Sequence, residues 1–289
     1  MSFIIETQGY ANVKPPLSYQ GGKQKIASKI IDIITKKKYD AFVDVCCGSG
    51  AVSIEMYNRG FPAENIYMFD GGPIGAFWQM VSEDSFDIEE FQDLIDKIPK
   101  DKTKIKRYLE DLSTIDFEYV GQVIYEYLIL QAGAFGGKQI WDENGKFKNT
   151  SFRDYWQPTA TSSRRSPVNP MMPMPETVLK NVKDIVDNMN GIRATHTLVE
   201  YINFDFIAEN HKNICIYIDP PYQDTEGYGL TLDIHAFIEN AKNYGDVYVS
   251  EYVPMSENYY VMSETNKGGI TGNSKKSRIE YLSMIEKVN

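Results

Sequence analysis

The sequence has few residues of the kinds that hold metals or disulfide bridges. It contains three cysteines and three histidines among 289 residues. Cys46 and Cys47 are adjacent and Cys215 lies in an apolar run, so there is neither a CxxC pair nor a disulfide framework. The histidines show no spacing typical of metal ligands. We therefore expect a reduced protein without a metal site.

Long apolar segments and two common nucleotide-binding motifs are also missing. No stretch approaches the roughly 18 apolar residues of a membrane-spanning helix, and the first residues lack the basic region and apolar core of a secretory signal. Neither GxGxxG nor GxxxxGK(S/T) occurs, which argues against a dinucleotide fingerprint and a phosphate-binding loop. These absences predict a cytoplasmic protein.

The net charge of −10 disfavours a protein that binds nucleic acid over its whole surface. Positive charge is nevertheless concentrated locally. The basic stretch from Lys97 to Arg107 fits a solvated helix face. A second basic group lies among glycines and aromatic residues, without helical periodicity, where its side chains can contact phosphates. Its members are Lys138, Lys146, Lys148, Arg153, Arg164 and Arg165.

The most informative motif is Asp219-Pro220-Pro221-Tyr222, which follows the apolar run 214–218. Such a run is typical of a buried parallel strand, and open α/β sheets bind their ligands at the carboxyl ends of these strands. The prolines end the strand and fix the directions of the carbonyls beside the Asp219 carboxylate. Acceptors on a stiff loop, next to an aromatic ring, suit a planar group bearing NH2, such as a nucleobase amine. A plain strand-terminating turn is the alternative.

Apolar periodicity predicts an α/β fold. Helical stripes at 23–37 and 51–58 alternate with short apolar strands, and the short connections between them predict parallel pairing. The strands are expected at 41–45, 65–69, 197–200, 214–218 and 246–250.

Between the second and third of these strands the pattern becomes helical and then enters a long section, 132–175, rich in Gly and Pro. Loops of this length are usually functional or disordered. We therefore predict a doubly wound, mostly parallel sheet in a discontinuous domain, 1–71 and 194–289, interrupted by a mainly helical insertion at 72–193.

Two turns after consecutive strands carry signals of a bound ligand. Asp44 precedes Gly48 and Gly50 at a strand-to-helix turn, where glycines permit close backbone approach and the helix offers free N–H groups. Asp70 ends the next strand, where acidic residues bind ribose hydroxyls in nucleotide-binding folds. An acidic residue on the first strand suits an amino or sulfonium group better than a pyrophosphate. The alternatives are a tight turn for the glycines and a helix N-cap for Asp70.

A third motif, Tyr19-x-Gly21-Gly22-Lys23, stands before the first helix. The glycine pair permits an unusual backbone path. A lysine in the first helical turn is disfavoured by the helix dipole, which suggests a task such as holding a carboxylate. A simple Gly-Gly turn is the alternative.

Along the chain, Tyr19-x-Gly21-Gly22-Lys23 comes first, the turn from Asp44 to Gly50 second and Asp219-Pro220-Pro221-Tyr222 third. The same order occurs in the Dam-type (D12 class) DNA adenine-N6 methyltransferases of bacteria and phages, which the sequence resembles over nearly its whole length. The resemblance implies a Rossmann-like methyltransferase sheet, S-adenosylmethionine as cofactor and double-stranded DNA as partner. The section 132–175 is more similar to phage-encoded members. Cys46-Cys47 and the run rich in Pro and Met depart from the family pattern.

The resemblance also assigns roles to further residues. Residues 145–149 resemble the hairpin that bears the family's target-recognition contacts, which adds Asn149 to the basic residues as a DNA contact. Thr225 and Tyr228 fit positions after the catalytic loop. The implied cofactor-binding set is Tyr19, Gly22, Lys23, Asp44, Gly48, Gly50, Asp70, Asp205 and Phe206.

The implied mechanism needs no covalent intermediate. Asp219 and the Pro220 carbonyl would accept the two N–H groups of adenine, which turns the nitrogen lone pair out of the ring plane. Pro221 would keep the loop stiff, and Tyr222 would stack on a base that has left the duplex. Three other interpretations stay open: methylation of cytosine N4 or of a nucleotide, a DNA-binding relative that has lost its chemistry, and an NAD-dependent oxidoreductase, which the missing GxGxxG disfavours.

Overall fold

The computed structural model describes residues 12–19, 21–142, 145–148, 151–156, 160–161, 171–220, 232–267 and 276–288. Seven residues singled out from the sequence lie outside these ranges: Asn149, Arg164, Arg165, Pro221, Tyr222, Thr225 and Tyr228. Within the ranges, no helix combines the length and the apolar character needed to cross a lipid bilayer.

In the described residues, helices and strands alternate up to Ser82 and again from Arg193, and the named elements between them are helices. The helices are α1 (Ala27–Ile34), α2 (Ala51–Asn58), α3 (Pro73–Ser82), α4 (Ile88–Asp96), α5 (Lys102–Leu112), α6 (Ile124–Gly133), α7 (Pro175–Met189), α8 (Phe204–Asn210) and α9 (Ile234–Ala241). The strands are β1 (Ala41–Val45), β2 (Ile66–Asp70), β3 (Arg193–His196), β4 (Ile214–Ile218), β5 (Asp246–Glu251), β6 (Tyr259–Lys267) and β7 (Lys276–Ile285).

The strands form a seven-stranded sheet in the order β3-β2-β1-β4-β5-β7-β6. Strands β1 to β5 pair in parallel, and β7 runs antiparallel to β5 and β6. The predicted α/β class with a mostly parallel, Rossmann-like sheet is confirmed. The chain leaves β1 in one direction for β2 and β3 and returns to its other side for β4. The order therefore reverses between β1 and β4, where open α/β sheets form their ligand crevice.

The central strands are apolar throughout because both faces of the sheet are covered. All five residues of β1 and of β4 are buried. On one face, Phe42 and Tyr217 pack in a core shared with α1, α2 and α3. On the other face, Val43 and Ile216 pack with α8 and α9. This arrangement explains why the strands lack the alternating pattern of a half-exposed sheet.

The third strand and the carboxyl-terminal strands differ from the sequence prediction. The prediction of a strand at 197–200 is wrong: β3 is Arg193–His196, and Val199–Tyr201 form a 3-10 turn. The apolar side chains of Leu198 and Val199 line a cleft, and Val199 also packs against the core on one face of the sheet. The antiparallel pair β6 and β7 was not predicted at all, because its sequence is polar and shows no clean alternation.

The helix α3 lies inside the segment predicted as an insertion, yet it packs on β2 and β3. Its core residues, such as Phe77 and Trp78, belong to the same apolar cluster as those of α4 to α7. The sheet layer thus extends to about residue 82, and the division of the chain at residue 72 stays a prediction.

Gly75 is where α3 approaches the end of β2 most closely. A Cβ at Gly75 would lie 2.1 Å from the Asp70 carbonyl oxygen, so Gly75→Ala requires backbone movement. In a helix, alanine is favoured over glycine by about 1 kcal/mol. Overpacking costs about 1–3 kcal/mol, and the cost is high here because the new Cβ would meet a backbone carbonyl, which cannot rotate away. We expect a net loss of about 1–2 kcal/mol of unfolding free energy, measured by urea denaturation.

Gly191→Ala is the matched control, because its Cβ would meet only Ala63 at 3.4 Å. Equal stability of the two alanine variants would contradict the proposed contact between α3 and β2.

Candidate active site

A cleft lies at the carboxyl ends of β1, β2 and β4, at the reversal of strand order. Eight of the residues predicted to bind the cofactor or to act in catalysis line it together: Tyr19, Gly22, Lys23, Asp44, Gly48, Asp70, Asp219 and Pro220. They come from three regions of the sequence that are far apart. The fold therefore joins the three motifs at one place.

The turn after β1 is held in shape by Trp78 of α3. Gly50 has φ of 70° and precedes α2, and a Cβ there would lie 2.4 Å from the Trp78 ring. Trp78 Nε1 donates a hydrogen bond to the Gly48 carbonyl at 2.9 Å. Gly50 therefore lies behind the cleft wall and supports it, whereas Gly48 faces the cleft. Only glycine fits a left-handed position this close to an indole.

Asp70 joins the turns that follow β1 and β2. Its Oδ2 accepts the Gly48 N–H at 2.9 Å, and its Oδ1 accepts the Gly72 N–H at 2.7 Å. Burial raises the pKa of Asp70, and the two N–H donors partly offset this rise. A carboxylate has about four lone-pair sites. Asp70 can thus accept further hydrogen bonds, such as those of vicinal hydroxyls, while it fixes the turns.

Asp44 is the most deeply buried acid of the cleft, at 1% exposure. The Ser53 hydroxyl of α2 donates to its Oδ2 at 2.6 Å. Burial raises the pKa of Asp44 to about 7, despite the opposing effect of the Ser53 hydrogen bond. A buried carboxylate with this pKa gains most from a cationic partner, because such a partner favours the ionised form.

The motif Tyr19-x-Gly21-Gly22-Lys23 forms a tight turn that places Lys23 in the cleft. The Gly22 N–H donates to the Tyr19 carbonyl at 3.0 Å, and a Cβ at Gly22 would lie 2.9 Å from that oxygen. Lys23 lies four residues before α1 and not in its first turn, which corrects the sequence prediction. The Lys23 ammonium contacts Asp219 Oδ2 at 2.6 Å, the Gly21 carbonyl at 2.9 Å and Glu280 Oε1 at 3.3 Å.

Asp219 and Pro220 stand where β4 ends. The Asp219 N–H donates to the Val45 carbonyl at 3.3 Å, which ties the start of the motif to β1. The Asp219 side chain is 20% exposed and lines the cleft, whereas Pro220 is buried. The carboxylate is therefore reachable from the cleft while its backbone is fixed by the sheet.

Besides Gly50, two further residues predicted to bind the cofactor do not line the cleft. Asp205 and Phe206 lie at the start of α8, where Phe206 is 48% exposed and Asp205 interacts with Tyr244. Leu198, Val199 and Glu200 line the cleft in their place. These three residues follow the true end of β3. Sequence reasoning missed them because it placed that strand four residues too late, at 197–200.

Gln139 and Glu280 were also missed. Gln139 lines the cleft, and its Oε1 is buried without a hydrogen-bond partner in the described part of the chain. It follows α6, in the section that the sequence marks only as a long loop. Glu280 comes from β7, which no sequence signal predicted. Neither residue belongs to a recognisable motif.

The described residues 145–148 of the predicted hairpin 145–149 pair with residues 140–142. The Asp142 and Lys148 N–H groups bond to the carbonyls of Lys146 and Ile140 at 2.9 and 2.8 Å, and Trp141 pairs with Phe147. The Lys146 ammonium is engaged by Asp116, by the Phe117 carbonyl and by the Phe117 ring.

Arg153 does not fit its predicted role as a DNA contact. It is only 3% exposed, and its Nη2 donates to the Ala132 carbonyl at 2.6 Å. An arginine that cannot reach solvent cannot neutralise a phosphate of the duplex. Lys138, by contrast, is exposed and Lys148 is partly exposed.

Cys46 and Cys47 line the cleft without the properties of nucleophiles. Burial raises the pKa of both thiols well above the ordinary value, and the negative charge of Asp70 raises both pKa values further. The thiolate is the reactive form of cysteine. The two thiols are therefore uncharged parts of the cleft wall.

The raised pKa of Asp44 predicts a pH dependence of stability in the ligand-free protein. The folded state binds a proton up to about pH 7, whereas an Asp in the unfolded chain loses it near pH ~3.9. Between these values the folded state holds more protons, so stability falls as pH rises, by up to about 1.4 kcal/mol per pH unit. Asp44→Asn should flatten this slope in urea denaturation between pH 5 and 7.

Asp40→Asn is the control, because Asp40 lies at the opposite end of β1 and accepts the N–H groups of Lys212 and Asn213. If Asp44→Asn and wild type keep parallel slopes, Asp44 does not titrate in this range.

The family comparison agrees with this geometry. The family model described as D12 class N6 adenine-specific DNA methyltransferase matches residues 19–231, about three quarters of the chain. Among proteins of curated function, none matches the sequence. The matched range begins at Tyr19 of the first motif and includes Asp44, Asp70 and Asp219. The chain therefore belongs to the D12 class of N6 adenine-specific DNA methyltransferases, whose reaction is the methylation of adenine N6 in DNA.

Proposed function

We propose that this cleft binds S-adenosylmethionine and that Asp219 acts on the amino group of the target adenine. One observation carries the proposal: the accessible carboxylate of Asp219 faces the same cleft as Asp44 and Asp70. The cavity thus contains Asp219, which can accept hydrogen bonds from an amine, and two acids that suit a cationic nucleoside, Asp44 and Asp70. Methyl transfer needs both ligands side by side, because well-oriented reactants can lower a barrier by about 7–11 kcal/mol.

The cofactor side of the cleft consists of the turns after β1, β2 and β3. We assign the amino group of the cofactor to Asp44, because a buried acid is stabilised by a cation. We assign the ribose hydroxyls to Asp70, whose remaining lone pairs can accept them. Gln139 Oε1, buried and unpartnered among the described residues, supplies a further acceptor for a ligand N–H or O–H.

The adenine side consists of Asp219 and the Pro220 carbonyl, with Pro221 and Tyr222 completing the motif. The amino group of adenine is a poor nucleophile because its lone pair is delocalised into the ring. Two acceptors that bind its N–H groups favour a pyramidal nitrogen with an available lone pair. When bound, the cofactor supplies the methyl group on a sulfonium sulfur, which keeps the electron pair of the broken bond. Asp219 then faces the nitrogen as it gains positive charge.

The proposed partner is double-stranded DNA, and the proposed location is the cytoplasm. We assign DNA contacts to Lys138 and Lys148, together with Asn149, Arg164 and Arg165. Basic side chains of this kind position the duplex through its phosphates. The overall negative charge fits a contact that is confined to one face, because the rest of the surface repels the duplex.

Asp219→Asn tests the catalytic assignment. The amide keeps the shape of the side chain but loses the charge that stabilises a nitrogen becoming positive. We expect at least a roughly 100-fold loss of single-turnover methyl transfer to DNA, with the dissociation constant of S-adenosylmethionine changed less than about fivefold. Radiolabelled methyl incorporation and calorimetry measure the two quantities, and mass analysis of nucleosides identifies the methylated base.

Asp40→Asn is again the matched control and should retain wild-type activity. Normal activity of Asp219→Asn would refute the role of Asp219. Methylcytosine in place of N6-methyladenine would contradict the adenine pocket.

The pKa of Asp44 predicts how cofactor binding depends on pH. Asp44 ionises near pH 7, and only its ionised form attracts the ammonium group of the cofactor. Affinity for S-adenosylmethionine should therefore rise between pH 6 and 7.5, by at most about tenfold per pH unit. The slope should vanish in Asp44→Asn, measured by calorimetry. A wild-type affinity that is constant over this range would assign the amino group to another residue.

A further inference from the structure

We propose that Glu280 is a positioning residue for methyl transfer, which shares the Lys23 ammonium with Asp219 and so limits how far Lys23 neutralises the carboxylate that accepts the target amine. This inference rests on the proposed role of Asp219. It extends the active centre to β7, beyond the matched range that ends at residue 231.

The Lys23 ammonium lies between the two carboxylates. It is 2.6 Å from Asp219 Oδ2 and 3.3 Å from Glu280 Oε1, and the Lys23 side chain is 4% exposed. The Gly21 carbonyl also accepts from the ammonium group, at 2.9 Å. Lys23 is thus a buried cation of the cleft that two carboxylates and a carbonyl group bind.

The charges of the cluster explain what Glu280 adds. Burial disfavours the charged form of Lys23, but Asp219 and Glu280 outweigh this effect, and the pKa of Lys23 is raised above its ordinary value. Two carboxylates thus share one ammonium group. Without Glu280, the Lys23 charge would act more strongly on Asp219, and negative charge would be lost near the point where the adenine nitrogen becomes positive during transfer.

The local geometry of β7 supports this role. Glu280 pairs with Ser263 and Tyr281 pairs with Val261, so Met262 forms a bulge in β6 beside Glu280. Bulges bend a strand and redirect its side chains, and they are frequent next to active sites. The Glu280 side chain is only 14% exposed and points to Lys23, which lies before α1. A carboxylate is rarely buried in a strand without a partner.

Glu280→Gln keeps the size of the side chain and removes its charge. We expect single-turnover methyl transfer to fall about 10–100-fold, with the dissociation constant of S-adenosylmethionine changed less than about fivefold. The matched control is Glu286→Gln, just after β7, which removes a carboxylate 3.0 Å from Lys37. The control should retain wild-type rates. Thermal unfolding of each variant verifies that it is folded.

A double-mutant cycle with Lys23→Met tests whether Glu280 acts through Lys23. If it does, Glu280→Gln should change the rate less than about threefold in the Lys23→Met background, because the cation that it positions is already gone. Equal losses in both backgrounds would overturn the inference. A wild-type rate for Glu280→Gln would do the same.

A spectroscopic measurement separates this inference from the proposed function. A buried, ion-paired ammonium exchanges its protons slowly, so the 15N-detected Lys23 ammonium signal should be protected in wild type and lose protection in Glu280→Gln, but not in Glu286→Gln. If wild type transfers no methyl group, the proposed function fails, and this signal still decides whether Glu280 holds Lys23. Unchanged protection in Glu280→Gln would overturn the inference.

Discussion

The ammonium of Lys23, enclosed by two carboxylates, connects the distant parts of this molecule. It joins the turn before α1 to the end of β4 and to β7. Removing the Lys23 ammonium would leave two carboxylates without the cation that they share, which costs several kcal/mol. The alignment of these three elements is therefore enforced by electrostatics as well as by packing. The reversal of strand order provides the opening into which this arrangement faces.

The carboxylates of the cleft differ because their hydrogen-bond donors differ. Asp70 is bound by two backbone N–H groups and has a structural task even without a ligand. Asp44 has one hydroxyl donor and lies deeper, so its ionised form lacks compensation until a cation arrives. Asp219 is 20% exposed and shares Lys23 with Glu280. The three acids of the cleft thus have different surroundings, which decide how strongly each carboxylate is stabilised.

Most of the sheet could be predicted from the sequence, because its strands are short apolar runs bounded by Gly, Pro and Asp. The limits of β1, α2 and β4 agree with their patterns to the residue. The third strand was misplaced because Leu198 and Val199 are apolar residues outside the sheet: both line the cleft, and Val199 also packs against the core. The spacing of apolar residues predicts which side chains are buried, but it does not predict which part of the protein covers them.

The candidate site was predictable only where a motif marks it. Asp44, Asp70 and Asp219 follow strands and could be placed at one edge of the sheet by topology. The partners that set their charge could not be placed, because Glu280 and Gln139 meet the cleft through contacts between distant segments. The prediction of Arg153 as a DNA contact was wrong for a different reason. Its basic neighbours in the sequence suggested an exposed position, but the side chain is buried against the end of α6.

The position of β7 has a consequence for how related sequences are recognised. A protein truncated after the matched segment would retain every signature that identifies the family and would still lack the anion opposite Lys23. Presence of the motifs is thus a necessary condition for a working centre and not a sufficient one. In this structure β7 supplies Glu280 as a partner of Lys23, whereas the three sequence motifs all lie earlier in the chain.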